Sequence, residues 1–303
     1  MAAAFESTYG TPPGSGYKKL PFVSSELGDE QNLIASDLLG LGREPLPPSR
    51  DVINNEGDVV VPVDLRNFGH WLKLLMGTPT SEEDTGVYTH TFVSGVLALP
   101  SMAIEIGMPE VPSYGMNFGV RANSMKIQLQ RSGLLNATMS LVAQGETRTT
   151  SSSAGSPSEA VIERFSQFMG EVKRDGTALG HIVSAELNYS NNLDKVEVIR
   201  PDGRIEDADP AMVGVTGTIN VRFADTVLLD QATSGEPCEL SFSWQIDADR
   251  SLLFTIHSAF LPKPKTPIQG PGGIQAAFAW QAAKDPVEGK TCTAVLVNDV
   301  AAY

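Results

Sequence analysis

The side chains that could do chemistry are few. Four histidines, His70, His90, His181 and His257, could serve as general bases or metal ligands. No two are spaced as ligands on one helix or hairpin, and neither CxxC nor HExxH occurs. His70 adjoins Trp71 at the edge of an apolar helical face, which suits packing or a surface position. His90 lies in 87-VYTHTF-92, where a solvated ring is expected. There is no GxSxG nucleophile elbow and no GxxxxGK phosphate loop. The glycines of 10-GTPPGSG-16 and 270-GPGG-273 lack the strand-then-helix setting that cradles phosphate. The acidic runs 82-EED-84 and 206-EDAD-209 lack the ordered ligand spacing of a calcium loop and read as solvated loops. Cys238 and Cys292 sit in apolar alternating runs and are expected as buried free thiols; a disulfide between them would need an oxidising compartment. These residues propose no catalytic centre, metal or cofactor, and the chain is expected not to be an enzyme.

The bulk composition points to architecture instead. A chain of 303 residues can bury one large core or two ordinary ones. With 28 Gly and 20 Pro but only 7% aromatic residues, many short strands joined by turns are expected rather than a helical bundle. No apolar run reaches the roughly 18 residues that span a bilayer. The opening MAAAFESTYGTPPGSG lacks a basic n-region and a long apolar h-region, and residues 1–19 read as a flexible arm. The net charge of −14 argues against a basic groove that grips nucleic acid. It suits solubility, or an acidic surface that lies near DNA without holding it.

Alternation locates the strands. In 123-NSMKIQLQ-130, Met125, Ile127 and Leu129 oppose Lys126, Gln128 and Gln130. After a Ser-Gly turn at 132–133, Leu135, Ala137, Met139 and Leu141 interleave with Asn136, Thr138 and Ser140, which predicts a long hairpin. Asp175-Gly176 predicts a second hairpin whose return strand is 182–189. Further strands are expected at 87–93, 101–108, 213–223, 238–246, 252–260, 274–282 and 291–298. One helix is predicted over 65–76 because Phe68, Trp71, Leu72 and Leu75 fall on one face, with Asp64 as a cap and Gly77 as its end. A weaker helical turn is expected at 225–233, and the Pro-rich 261–273 reads as extended.

The chain also repeats itself. The stretch 22-FVSSELGDEQNL-33 returns as 182-IVSAELNYSNNL-193, at an offset of 183 − 23 = 160. Gly57, Val59, Val61 and Val63 match Gly217, Ile219, Val221 and Phe223 at the same offset. Each of these strands runs into a helical segment. Beyond the helices, 87–93 is paired with 238–246, 101–108 with 252–260, and the strands 121–130 and 134–143 with 274–282 and 291–298. An internal duplication follows, with a first unit over 20–146, a polar linker over 147–164 and a second unit over 165–303.

The stretches 21-PFVSSELGDEQNLIASDLLGLGREPLPP-48, 57-GDVVVPVDLRNFGHWLKLLMG-77, 86-GVYTHTF-92, 99-LPSMAIEIG-107, 122-ANSMKIQLQRSGLLNATMSLVAQGE-146, 182-IVSAELNYSNNL-193, 214-GVTGTINVRFAD-225 and 292-CTAVLVND-299 resemble the tail tube proteins of long-tailed bacteriophages. The resemblance spans about residues 20 to 300 and rests on strands, turns and one helix. It implies a mainly β subunit of two tandem sandwich or half-barrel units, each with one short helix, closing into a ring barrel on oligomerisation. Rings would stack into a hollow tube through which viral DNA passes without specific binding. The implied partners are further copies of the chain and the tape-measure, tail-terminator and baseplate proteins of the virion, with assembly in the host cytoplasm and no membrane.

Two fused units would let three copies fill a ring that six single units would otherwise make. The other arrangement is a hexamer with one unit outside. Candidate lumen-facing residues are Ser24 and Glu26 with their counterparts Ser184 and Glu186, and the hairpin set Lys126, Gln128, Gln130, Asn136, Thr138 and Ser140. Val23, Leu27, Val183 and Leu187 are expected to face the core. A distal tail or baseplate ring of the same fold, or a β-rich carbohydrate-binding adhesin, are the alternatives. The adhesin would call for exposed aromatics, whereas Trp71, Trp244 and Trp280 all fall on apolar faces.

Overall fold

A computed structural model describes residues 1–39, 42–265 and 274–303; of the expected extended segment 261–273, residues 266–273 lie outside the described residues. Among the described residues the fold is mainly β, with two short α-helices. Its principal sheet is antiparallel and crosses both halves of the sequence. The strand Ser49–Pro62 pairs on one side with Ser24–Ser25 and Gly28–Ile34, and on the other with Asn136–Ala143. Next come Ser113–Gln130, Ile182–Ser190, Gly214–Arg222 and Gln275–Ala282. The 122–143 hairpin forms as its alternation predicts, with Gly133 in the left-handed region (φ 111°) at the turn.

A second group of strands backs this sheet. Ala2–Phe5, Met102–Met108, the start of Ser113–Gln130 and Gly145–Thr149 pair in one patch. Gly170–Arg174, Cys238–Asp247, Arg250–Phe260 and Cys292–Asn298 pair in another, and Cys292–Asn298 also takes Val87–Val93 as a neighbour. One contiguous apolar core runs between the groups, including Val59, Met125, Leu187, Phe278, Trp71 and Trp244. The halves are therefore not separate bodies: 182–190 pairs with the first-half strand 113–130, and the first-half strand 87–93 pairs with 292–298.

Several sequence expectations change. Residues 1–19 are not a free arm. Ala2, Ala3 and Ala4 are buried against the strand 102–105, and Tyr17 and Leu20 are buried too. Small alanines allow this close strand approach yet carry no alternating signal. The polar stretch 147–164 contributes to two strands: Gly145–Thr149 pairs with 114–118, and Ser158–Glu159 lies parallel to Lys18–Lys19. The turn at Asp175-Gly176 has both residues at positive φ, 50° and 75°, as a type I′ hairpin requires. Its return strand is Thr177–Ala178, however, and not 182–189. Val23 and Val183 are exposed (58% and 44%), whereas Leu27 and Leu187 are buried as expected.

The first helix spans Phe68–Met76 and buries Phe68, Trp71, Leu72 and Leu75. Asp64 does not cap it directly; its Oδ2 accepts from the Asn67 N–H at 3.0 Å and orders the turn that precedes it. Gly77 closes it, with φ 92° and its N–H donating to the Lys73 carbonyl at 2.9 Å. The second helix is Val227–Ser234.

The halves repeat their pairing registers. Ser24 faces Val60 and Ser184 faces Asn220, so both partners move by 160 (184 − 24 and 220 − 60). Gly28 opposite Glu56 and Asn188 opposite Thr216 keep the same offset. Past the helices the correspondence differs from the one the sequence suggested. Met102–Met108 and Cys238–Asp247 are equivalent: Met102 faces Val120 and Cys238 faces Ala259, and each pair is followed by an irregularity before Ile104–Asn117 and Leu240–Ile256. The strand Gln275–Ala282 takes the place of Asn136–Ala143, because Val61 faces Ala137 and Val221 faces Ala276. The hairpin Thr80–Asp84 with Val87–Val93 has no counterpart in the second half among the described residues. Chain order alone pairs it with 238–246, since both follow a helix, and cannot reveal a hairpin present in one half only.

Candidate functional site: one polar sheet face

All ten candidate residues project from the same face of the principal sheet. Alternation fixes this, since residues two apart share a face and directly opposed residues point the same way. One cross-strand row runs Ser24, Val60, Thr138, Lys126, Asn188, Thr216 and Gln281. Beside it, Glu186 lies between Gln128 and Thr218, and Ser184 lies between Gln130 and Asn220. Ser140 stands between Asp58 and Ser124, and the Glu26 N–H donates to the Asp58 carbonyl at 2.9 Å. The opposite face of these strands carries Val59, Met139, Ile127, Leu187, Ile219 and Phe278, all buried.

The structure thus joins the hairpin set directly to Ser184 and Glu186. Ser24 and Glu26 sit at the sheet's far edge, separated from them by the strands 49–62, 136–143 and 113–130. Lys126 Nζ lies 2.9 Å from Glu186 Oε2, and Gln128 Nε2 donates to the same oxygen at 3.1 Å. Burial alone would raise the Glu186 carboxyl, but hydrogen bonds from Lys126 and Gln128 and the lysine charge outweigh it and hold it below its ordinary value. Asn220 Nδ2 donates to Ser184 Oγ at 2.9 Å, and Arg164 Nη2 to Asn136 Oδ1 at 2.5 Å. Gln167 braces the edge, accepting from the Gln130 N–H and donating to the Gln128 carbonyl.

Chemically this face is a carpet of amides and hydroxyls whose charges are mostly acidic: Glu26, Glu30, Glu56, Asp58 and Glu186 against Lys126 and Arg222. Asp58, Asn188, Thr216, Thr218 and Asn220 belong to it and were not singled out from sequence, although the alternation of 214-GVTGTINVR-222 carries the signal. The histidines lie elsewhere. His90 is fully buried, not solvated: Nδ1 meets Ser81 Oγ at 2.7 Å and Nε2 meets the Val300 carbonyl at 2.8 Å, beneath the Tyr303 ring. Its cover comes from a segment more than 200 residues distant, which no local pattern reveals. Cys238 and Cys292 are free and buried, and burial pushes their thiols up to about 11 and about 12. Among the described residues no three His, Cys, Asp or Glu side chains cluster as a metal site. No helix among them is long and apolar enough to cross a membrane.

A profile described as phage tail tube protein matches residues 1–282. No curated protein matches the chain. A mainly β fold, a broad polar sheet face without reactive groups and a profile match over nearly the whole length agree: the chain belongs to the phage tail tube protein family, a structural component of the virion tail and not an enzyme.

Proposed function

We propose that the two halves are copies of one tube unit, and that three chains close into a ring of six similar blocks. Such rings stack into the conduit through which DNA is ejected. The repeated register carries this reading. Ser24–Val60 and Ser184–Asn220 are the same pairing 160 residues apart, and Gly57 and Gly217 approach the Glu26 and Glu186 carbonyls in the same way. The polar sheet face then lines the lumen, with Glu26 and Glu186 at like positions and Lys126 partly neutralised by Glu186. A hydrogen-bonding wall whose charges are mostly acidic, on a chain of net charge −14, offers phosphate no cationic track to bind.

The hairpin Gly28–Ile34 with Ser49–Pro62 exposes Leu33, Ile34, Leu38 and Val52, an apolar surface suited to the neighbouring ring. Tape-measure, terminator and baseplate proteins are the expected contacts of the stacked rings. Negative-stain imaging of the purified chain at rising concentration tests the reading. Tubes are the expected product. Single rings that never stack would favour the distal tail alternative, and a monomer at every concentration would defeat both.

A further inference from the structure

The joint between the two halves of one chain specifies the joint between chains. Inside the chain, the strand 121–130 bridges Asn136–Ala143 and Ile182–Ser190, and Lys126 on it grips Glu186. In the second half, Gln275–Ala282 occupies the place of Asn136–Ala143, so the matching bridge must precede it. Register identifies that segment. Arg121 faces Val142 and Phe260 faces Gln281, an offset of 260 − 121 = 139. At the other end, the Val63 N–H donates to the Leu135 carbonyl and the Phe223 N–H to the Ile274 carbonyl, again 274 − 135 = 139. The two segments therefore have equal length, and Lys126 corresponds to Lys265 (265 − 126 = 139). Glu186 corresponds to Glu26 by the offset of 160.

Lys265 cannot meet Glu26 by this route within one chain. The strands beside them, Gln275–Ala282 and Ser24–Ser25, are at opposite ends of the principal sheet. Lys265 and Glu26 are both exposed, and neither forms an ion pair among the described residues. Phe22 and Val23 are also exposed at this open edge, whereas Ile182, the counterpart of Phe22, packs against the core. We infer that Lys265 of one chain pairs with Glu26 of a second copy, reproducing between chains the Lys126–Glu186 contact, and that residues 262–265 cover the open edge at Phe22 and Val23. Pro262 and Pro264 have no N–H to donate, so this joint holds fewer backbone hydrogen bonds than the internal one and leans more on the ion pair.

This contact rests on the ring proposed above, and the test separates the two. The full chain is assembled at rising concentration and followed by sedimentation velocity. Glu26→Lys and Lys265→Glu should each raise the half-assembly concentration by about fivefold or more, and the double exchange should return it to within about twofold of the parent. In parallel, Glu26→Cys with Lys265→Cys, oxidised with glutathione disulfide, should give intermolecular bands ending at a covalent trimer. The native thiols are buried and do not compete. Parent rings that form normally, with neither reversal shifting assembly and no intermolecular crosslink, overturn this contact and leave the ring intact. A parent chain that never assembles overturns the ring and the contact together.

Discussion

Replacing Gly57 and Gly217 by alanine probes the repeated geometry at its tightest point. Neither glycine has positive φ, so neither is needed for backbone freedom. Each is there because a strand backbone passes too close for a methyl group. A Cβ on Gly57 would overlap the Glu26 carbonyl and the Leu27 nitrogen at 2.6 Å; one on Gly217 would overlap the Glu186 carbonyl and also reach the Trp280 ring at 2.5 Å. Backbone cannot rotate away as a side-chain tip can, so the paired strands must separate. Overpacking of this kind costs about 1–3 kcal/mol. We expect about 2 kcal/mol for Gly57→Ala and about 3 kcal/mol for Gly217→Ala, where an indole must move as well. At about 2 °C per kcal/mol for a chain of this size, Tm should fall by about 4 °C and about 6 °C in differential scanning calorimetry. Gly14→Ala is the control, since a Cβ there meets nothing within 4 Å, and it should leave Tm unchanged or slightly raised. Parent-like Tm in both test variants would refute the close approach and with it the shared geometry of the two halves.

Other consequences are equally concrete. Burial first, then the charges of Lys18 and Lys73, push His70 down to about 4 from an ordinary 6.5. The unfolded chain therefore binds the extra proton first, so stability is full above about pH 6.5 and falls by up to about 3 kcal/mol as pH drops to 4. Urea titrations should show this slope in the parent and a flatter one in His70→Gln. The Tyr303 hydroxyl donates to the Arg66 carbonyl at 3.0 Å and accepts from Asn298 Nδ2 at 2.6 Å, so Tyr303→Phe should lose about 1 kcal/mol by the same titration. Tyr303→Ala also removes the ring packed on Gly69, His70 and His90 and should lose about 3 kcal/mol or more. Ellman's reagent should find no thiol in the native chain and two after denaturation, because Cys238 and Cys292 are both buried.

Alternation made the central strands legible. In 122–130, 135–143 and 185–190 each apolar residue proved buried, and the ten candidate residues share one face because parity alone sets it. The 160-residue repeat was legible for the same reason: identical strands need identical registers. What escaped was information held at a distance. Ala2–Phe5 is a strand only because 102–105 offers it an edge. His90 is buried only because Val300 and Tyr303 return to cover it. The hairpin 80–93 shifts the order of the later strands, so their shared registers are visible only in their pairing partners.

An electron cryomicroscopy reconstruction of the assembled tube, with copy number per ring counted and the lumen surface traced, tests the central claim most directly. The account predicts three chains per ring, six similar blocks around the axis, and Ser24, Glu26, Lys126, Gln128, Ser184 and Glu186 facing the channel. Six chains per ring, or this polar face turned outward, would contradict it.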